Sequence, residues 1–120
     1  MILIAGSIAL DRIFRSEHLP ERGGCVAGTA LPAIGGLGGI SALAALRCGA
    51  ELELAAALGD DDDARQLRNL LSRHGLRCLA SICRDAPTGT SATLVGDDGF
   101  LRTSAPAANA LFESGPEVER

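Results

Sequence analysis

Four consecutive apolar residues, Ile2-Leu3-Ile4-Ala5, end at Gly6. An unbroken run of that length predicts a strand buried on both faces of a parallel sheet. Ile13-Phe14-Arg15 and Cys25-Val26-Ala27 flank a loop containing Pro20, Gly23 and Gly24, which predicts two short, more exposed strands. A glycine-dense stretch, Gly35-Gly36-Leu37-Gly38-Gly39, leads into Ile40, Leu43, Ala44 and Leu46. That spacing suits a helix with one buried face, and Gly49 is placed to end it. Leu52 to Leu58 reads as a second buried strand, although its alanines would equally tolerate a helix.

Asp60 to Asp63 then supply a cap and first-turn negative charge for another helix. Its apolar face is Leu67, Leu70, Leu71 and His74 at i, i+3, i+4 and i+7, with Gly75 at the natural stop. Ser91 to Val95 and Phe100 to Thr103 surround Gly96-Asp97-Asp98-Gly99, a strong hairpin signal. Ser114-Gly115-Pro116-Glu117 opens like a helix, with only Val118, Glu119 and Arg120 after it. One turn cannot hold a helix alone, so the expectation is a piece of something longer. The order β, β-β, α, β, α, then further strands predicts an α/β domain with extra strands standing off the sheet.

Composition narrows the chemistry. The 120 residues suit one domain, and 47% hydrophobic against 22% charged residues are enough for a packed core. Net charge is −4, and all eleven basic residues are arginine. Without lysine there is no P-loop lysine, Schiff base or lysine general base. The acidic balance argues against nucleic acid as a partner, and three phenylalanines with no Trp or Tyr offer no base-stacking platform. Cys25, Cys48, Cys78 and Cys83 form no CxxC pair and only two histidines exist, so no metal site is expected. The N-terminal apolar run lacks a basic leader and is cut short by Asp11-Arg12, and no run reaches membrane-span length. The reading is a cytoplasmic protein with reduced thiols and no membrane contact.

Three stretches are candidates for chemistry. The glycines before the first helix would let a ligand approach the backbone and its free N–H groups. They match neither a dinucleotide fingerprint nor a Walker A loop, and on glycine content alone a tight loop with close helix packing is favoured. Asp11 follows the first strand, where open α/β sheets bind ligands, and a carboxylate there can accept from paired sugar hydroxyls. The bland reading of Asp11 is a turn residue or cap. Asp60 to Asp63 lack the alternate spacing of a calcium loop, so a helix cap on a solvated face is favoured. His18 and His74 have no partner that would make them catalytic.

Taken in order, these features resemble the ribokinase-like (PfkB) carbohydrate kinase family. Gly6-Ser7-Ile8-Ala9-Leu10-Asp11 resembles its opening strand and sugar-binding aspartate, and Leu19-Pro20 with Gly23 and Gly24 the turn between lid strands. Gly35-Gly36-Leu37-Gly38-Gly39-Ile40-Ser41-Ala42 resembles its G-G-K-G-A-N-x-A signature. Gly49-Ala50, Gly59-Asp60-Asp61, Gly75, Pro87-Thr88-Gly89 and Ala108-Asn109-Ala110 follow in the family's order. The resemblance implies a central, mostly parallel sheet flanked by helices and a small β-sheet lid, within roughly 12–31 and 91–105, the whole incomplete at its C-terminus.

It also implies transfer of the ATP γ-phosphoryl to a sugar hydroxyl. On the substrate side would stand Asp11, Gly35, Gly36, Gly38 and Gly39, with Ala9, Ile40, Thr88 and Asn109 as lid or pocket neighbours. Leu37 replaces the signature lysine, and Ile40 and Ala9 stand where asparagines are usual, so ribose is a poor fit. ATP and Mg2+ would serve the full-length enzyme. The catalytic aspartate and nucleotide pocket lie in the family's C-terminal half, so no catalytic residue is assigned here, no cofactor is expected for this chain alone, and no kinase activity is expected of it. The implied partners are a sugar or sugar-like molecule and a second copy paired through lid strands. The alternative is a non-catalytic remnant serving as a ligand-binding or oligomerisation module; a dinucleotide-binding protein is disfavoured by the missing fingerprint.

Overall fold

The computed structural model describes residues 1–111. The helix-opening sequence at Ser114 to Glu117 lies outside the described residues. The chain runs β1 (Ile2–Ala5), β2 (Ala9–Arg15), β3 (Thr29–Gly35), α1 (Leu37–Arg47), β4 (Leu52–Gly59), α2 (Asp62–Arg73), β5 (Arg77–Cys83), β6 (Thr90–Gly96), β7 (Gly99–Ala105) and a 3-10 turn at Ala107–Leu111. Two sheets result: a parallel one in the order β1-β4-β5 and a mixed one in the order β3-β2-β6-β7.

The parallel sheet carries the core. β4 is its centre, hydrogen-bonded on both sides, with Leu52, Leu54 and Ala55 to Leu58 buried. Two strand neighbours decide the helix-or-strand ambiguity of its alanines, since a helix there would orphan both ladders. Leu54 and Leu58 meet Leu67 and Leu71 of α2 and Ile8, Leu10 and Ala42 in one cluster. Each fully buried leucine contributes about 1.5–3 kcal/mol. The leucines of α2 match the expected stripe, and α1 and α2 end ahead of Gly49 and Gly75 as their sequences predict.

Three expectations need correction, and one strand was not anticipated. β1 is not buried on both faces: among the described residues it pairs only with β4, leaving Ile2 and Leu3 52% and 61% exposed. Cys25 to Ala27 is irregular, and the second lid strand is β3. Pro32 is tolerated in β3 because that strand is an edge, where a missing N–H costs no ladder bond. Asp11 does not sit in a loop after β1; the chain turns at Gly6 to Ile8 and Asp11 is the third residue of β2. Arg77 to Cys83 forms β5, which its irregular polar-apolar order did not announce.

The mixed sheet stands off the core as a lid. β2 pairs antiparallel with β3 and parallel with β6, and β6 closes on β7 through the expected hairpin, with Gly96 opposite Gly99. At its base Arg12 reaches back to the core layer: Nη2 is 2.7 Å from Asp63 Oδ1 on α2, and Nη1 donates to Thr90 Oγ1 at 2.9 Å.

Candidate functional site

Register places the chemistry of the lid. Direct cross-strand partners share a face of a sheet. Asp11 faces Ala33 on β3 and Ser91 on β6, and Thr93 faces Arg102 on β7. These side chains therefore emerge on one face. Asp11 is 8% exposed. Thr93 Oγ1 donates to Asp11 Oδ1 at 3.3 Å, and Arg102 Nη2 lies 3.7 Å from Asp11 Oδ2 and 3.4 Å from Ser91 Oγ.

Gly35, at the end of β3, belongs to the same cluster. A Cβ on it would stand 3.1 Å from Asp11 Cβ and 3.5 Å from Ser91 Oγ, so glycine keeps the floor beside the carboxylate open. Ala9 lies opposite Gly35 on the same face and is nearly buried.

The other glycines seat α1. Gly36 has φ 81°, and a Cβ there would come within 2.5 Å of Ser7 O; both facts require glycine. Gly38 packs on the Gly6–Ser7 backbone and Gly39 on the Ile34 side chain. The first-turn amides of α1 are taken up by the same corner: Leu37 N–H donates to Ser7 Oγ at 3.1 Å, and Gly39 N–H to Ser7 O at 3.2 Å. Leu37 and Ile40, at the helix start, are exposed apolar residues.

Thr88 and Asn109 are held in two other networks. Asp61 caps α2 by accepting from Ala64 N–H at 2.8 Å. Its carboxylate also accepts from Thr88 Oγ1 and Thr88 N–H, both at 2.7 Å, while Thr88 Oγ1 accepts from Gly59 N–H at 3.0 Å. Burial resists ionisation of Asp61, but the bonds from the Thr88 hydroxyl, the Thr88 amide and the Ala64 amide outweigh it and hold the carboxyl below its ordinary value. Asn109 clasps both backbone polar groups of Ile8: Oδ1 accepts from Ile8 N–H at 2.9 Å, and Nδ2 donates to Ile8 O at 2.8 Å and Pro106 O at 3.0 Å. It thereby fixes the corner that launches β2 and Asp11. Gly89 admits that side chain, since a Cβ would meet Nδ2 at 2.2 Å.

Ser91, Thr93 and Arg102 were not singled out from the sequence. The signal was present in the hairpin: alternation puts residues 91 and 93 on one face, and the Gly96–Gly99 closure sets Thr93 across from Arg102. A separate cavity of about 660 Å³ opens where β4 and β5 end, lined by Gly59, Asp60, Asp61, Arg65, Arg68 and Arg84.

The chain thus combines a parallel α/β layer with a mixed β-sheet lid that carries a nearly buried aspartate on β2. No protein-family model matches the chain. Over 77 residues it is 34% identical to a ribokinase from Bacillus subtilis, a match spanning 63% of this chain and 26% of that protein. Among solved structures, a ribokinase from Cryptococcus neoformans in complex with ADP aligns with TM-score 0.72 and 26% identity, covering 98% of this chain and 38% of its own. A microbiome-derived acarbose kinase aligns at TM-score 0.82 and 23% identity, covering 97% of this chain and 40% of its own. A ribokinase from Giardia lamblia gives 0.76 and 21%, covering 92% and 37%. The fold is ribokinase-like, and the chain is similar to ribokinases over part of their length. It spans about a quarter of its curated relative and little more than a third of the solved chains.

Proposed function

We propose that this chain is the sugar-side and lid portion of a ribokinase-like carbohydrate kinase, an enzyme that moves the ATP γ-phosphoryl group to a sugar hydroxyl. The observation that carries the reading is the Asp11 cluster on one face of the lid. The two oxygens of a carboxylate can accept from both hydroxyls of a vicinal pair, and Gly35 lets a ring approach beside them. Ala9 and Ile40 would give a bound sugar apolar contacts, while Gly36, Gly38 and Gly39 hold α1 in place. Lid closure over the sugar would exclude water and favour transfer over hydrolysis.

The nucleotide and Mg2+ used by such kinases find no matching site in these residues. Among the described residues no three His, Cys, Asp or Glu side chains converge. The sequence has no lysine, and two first-turn amides of α1, those of Leu37 and Gly39, already donate to Ser7. We therefore route no step through them, and residues 1–120 alone are expected to transfer no phosphoryl group. Titration calorimetry of the purified chain with a panel of monosaccharides and sugar acids is the test. Binding that Asp11→Asn weakens about tenfold or more supports the reading. Failure of every sugar to bind overturns it, and ATP-dependent phosphorylation by the chain alone overturns the expected inactivity.

A second reading, an oligomerisation module, draws on the open sheet edges. β1 and β7 are edge strands among the described residues, and Phe100 and Leu101 on β7 are largely exposed. Pairing through β7 would make a homodimer joined at the lids. Light scattering across a concentration series decides it, a monomer throughout counting against association. The four free thiols suit a reducing, cytoplasmic setting, and among the described residues no helix is long and apolar enough to cross a membrane.

A further inference from the structure

The lid face that carries Asp11 also carries positive charge. Its strand positions hold three charged residues: Asp11 and Arg15 on β2 and Arg102 on β7. One carboxylate against two guanidinium groups leaves this face net positive in a chain whose total is −4. The opposite lid face has Arg12, which Asp63 neutralises.

Arg102 is only partly engaged. One nitrogen, Nη2, serves both Asp11 at 3.7 Å and Ser91 at 3.4 Å, and its side chain stays 41% exposed. Both distances are long for a guanidinium, whose charge-assisted bonds to oxygen close to about 2.7–2.9 Å. Among the described residues Nη1 and Nε find no partner. A planar fork of donors therefore stands over the carboxylate that would hold the sugar hydroxyls. A neutral sugar sealed under the lid would offer that fork only hydroxyl oxygens, whereas an anionic oxygen pair would meet it with paired charge-assisted bonds.

We propose that Arg102 is a specificity-determining residue and that the ligand is an acidic sugar, a polyhydroxy compound whose carboxylate or phosphate meets the Arg102 guanidinium while its hydroxyls meet Asp11. The inference rests on the sugar-site reading above and deepens it.

The test is calorimetric titration of the 120-residue chain with fructose, gluconate and fructose 6-phosphate, repeated for Arg102→Gln and Arg102→Lys. Either anion should bind about tenfold or more tighter than fructose. The better of the two identifies carboxylate or phosphate as the source. R102Q should erase that preference, and R102K should recover part of it. Added NaCl should weaken the anion and spare fructose in the unmodified chain, a readout that does not depend on any variant folding. Fructose binding as tightly as both anions, or an anion preference that R102Q leaves intact, would overturn this inference while leaving the sugar site standing. No binding by any of the three would remove both.

Discussion

Asp61 is the residue on which the end of β4, the start of α2 and the approach to β6 depend together. Asp61→Ala removes a helix cap and two short bonds to Thr88, a residue 2% exposed. The cap alone is worth about 1 kcal/mol. The Thr88 amide, left without a partner where water scarcely reaches, adds about 1–3 kcal/mol. The sum, about 2–4 kcal/mol, is a large part of the stability of a domain this size. Urea unfolding followed by far-UV circular dichroism should show a lower midpoint with an unchanged slope.

The same carboxylate makes stability depend on pH. Its folded pKa is depressed below the ordinary 3.8, so its contribution is fully present above that value. It is lost as pH falls from there through the folded pKa. Asp61→Asn should flatten this acid limb while Thr88→Val should shrink it. The double variant D61A/T88V should fall short of additivity, because each single change already breaks the bond between the Thr88 hydroxyl and the Asp61 carboxylate. A D61A unfolding free energy within about 0.5 kcal/mol of the parent, the size of an ordinary surface change, would refute the reasoning.

Asn109→Ala should cost about 2–3 kcal/mol by the same unfolding assay, because the N–H and C=O of Ile8 both lose their partner; a near-neutral result would mean water replaces the amide. Gly36→Ala should destabilise by about 1–3 kcal/mol, since alanine must take a positive φ and meet Ser7 O at the same time. Burial raises the Cys78 thiol, an effect the Arg68 charge only partly offsets. Alkylation at neutral pH mapped by mass spectrometry should therefore mark exposed Cys25 and Cys48 well before Cys78.

Much of this protein is written in short contiguous stretches. The acids before α2, the leucine stripe within it, the glycine after it and the Asp-Asp turn of the β6–β7 hairpin each act through neighbours in sequence, so their geometry follows from local sterics and periodicity. Asp11 and the glycine stretch were legible for the same reason, as was the order of motifs that resembles the ribokinase-like kinases. Which strands lie side by side is settled by contacts between residues far apart in the chain. Pairing left β1 at an edge with its apolar residues exposed, turned the stretch around Pro32 into an edge strand, and built β5 from a sequence with no clean alternation. The site itself is the clearest case: Asp11, Ser91, Thr93 and Arg102 are separated by up to ninety-one positions, and only the register of β2 on β6 and of β6 on β7 brings them together. Because a strand presents alternate residues to opposite faces, a slip of one residue in either pairing would send Arg102 to the far side of the lid and leave Asp11 without its cation.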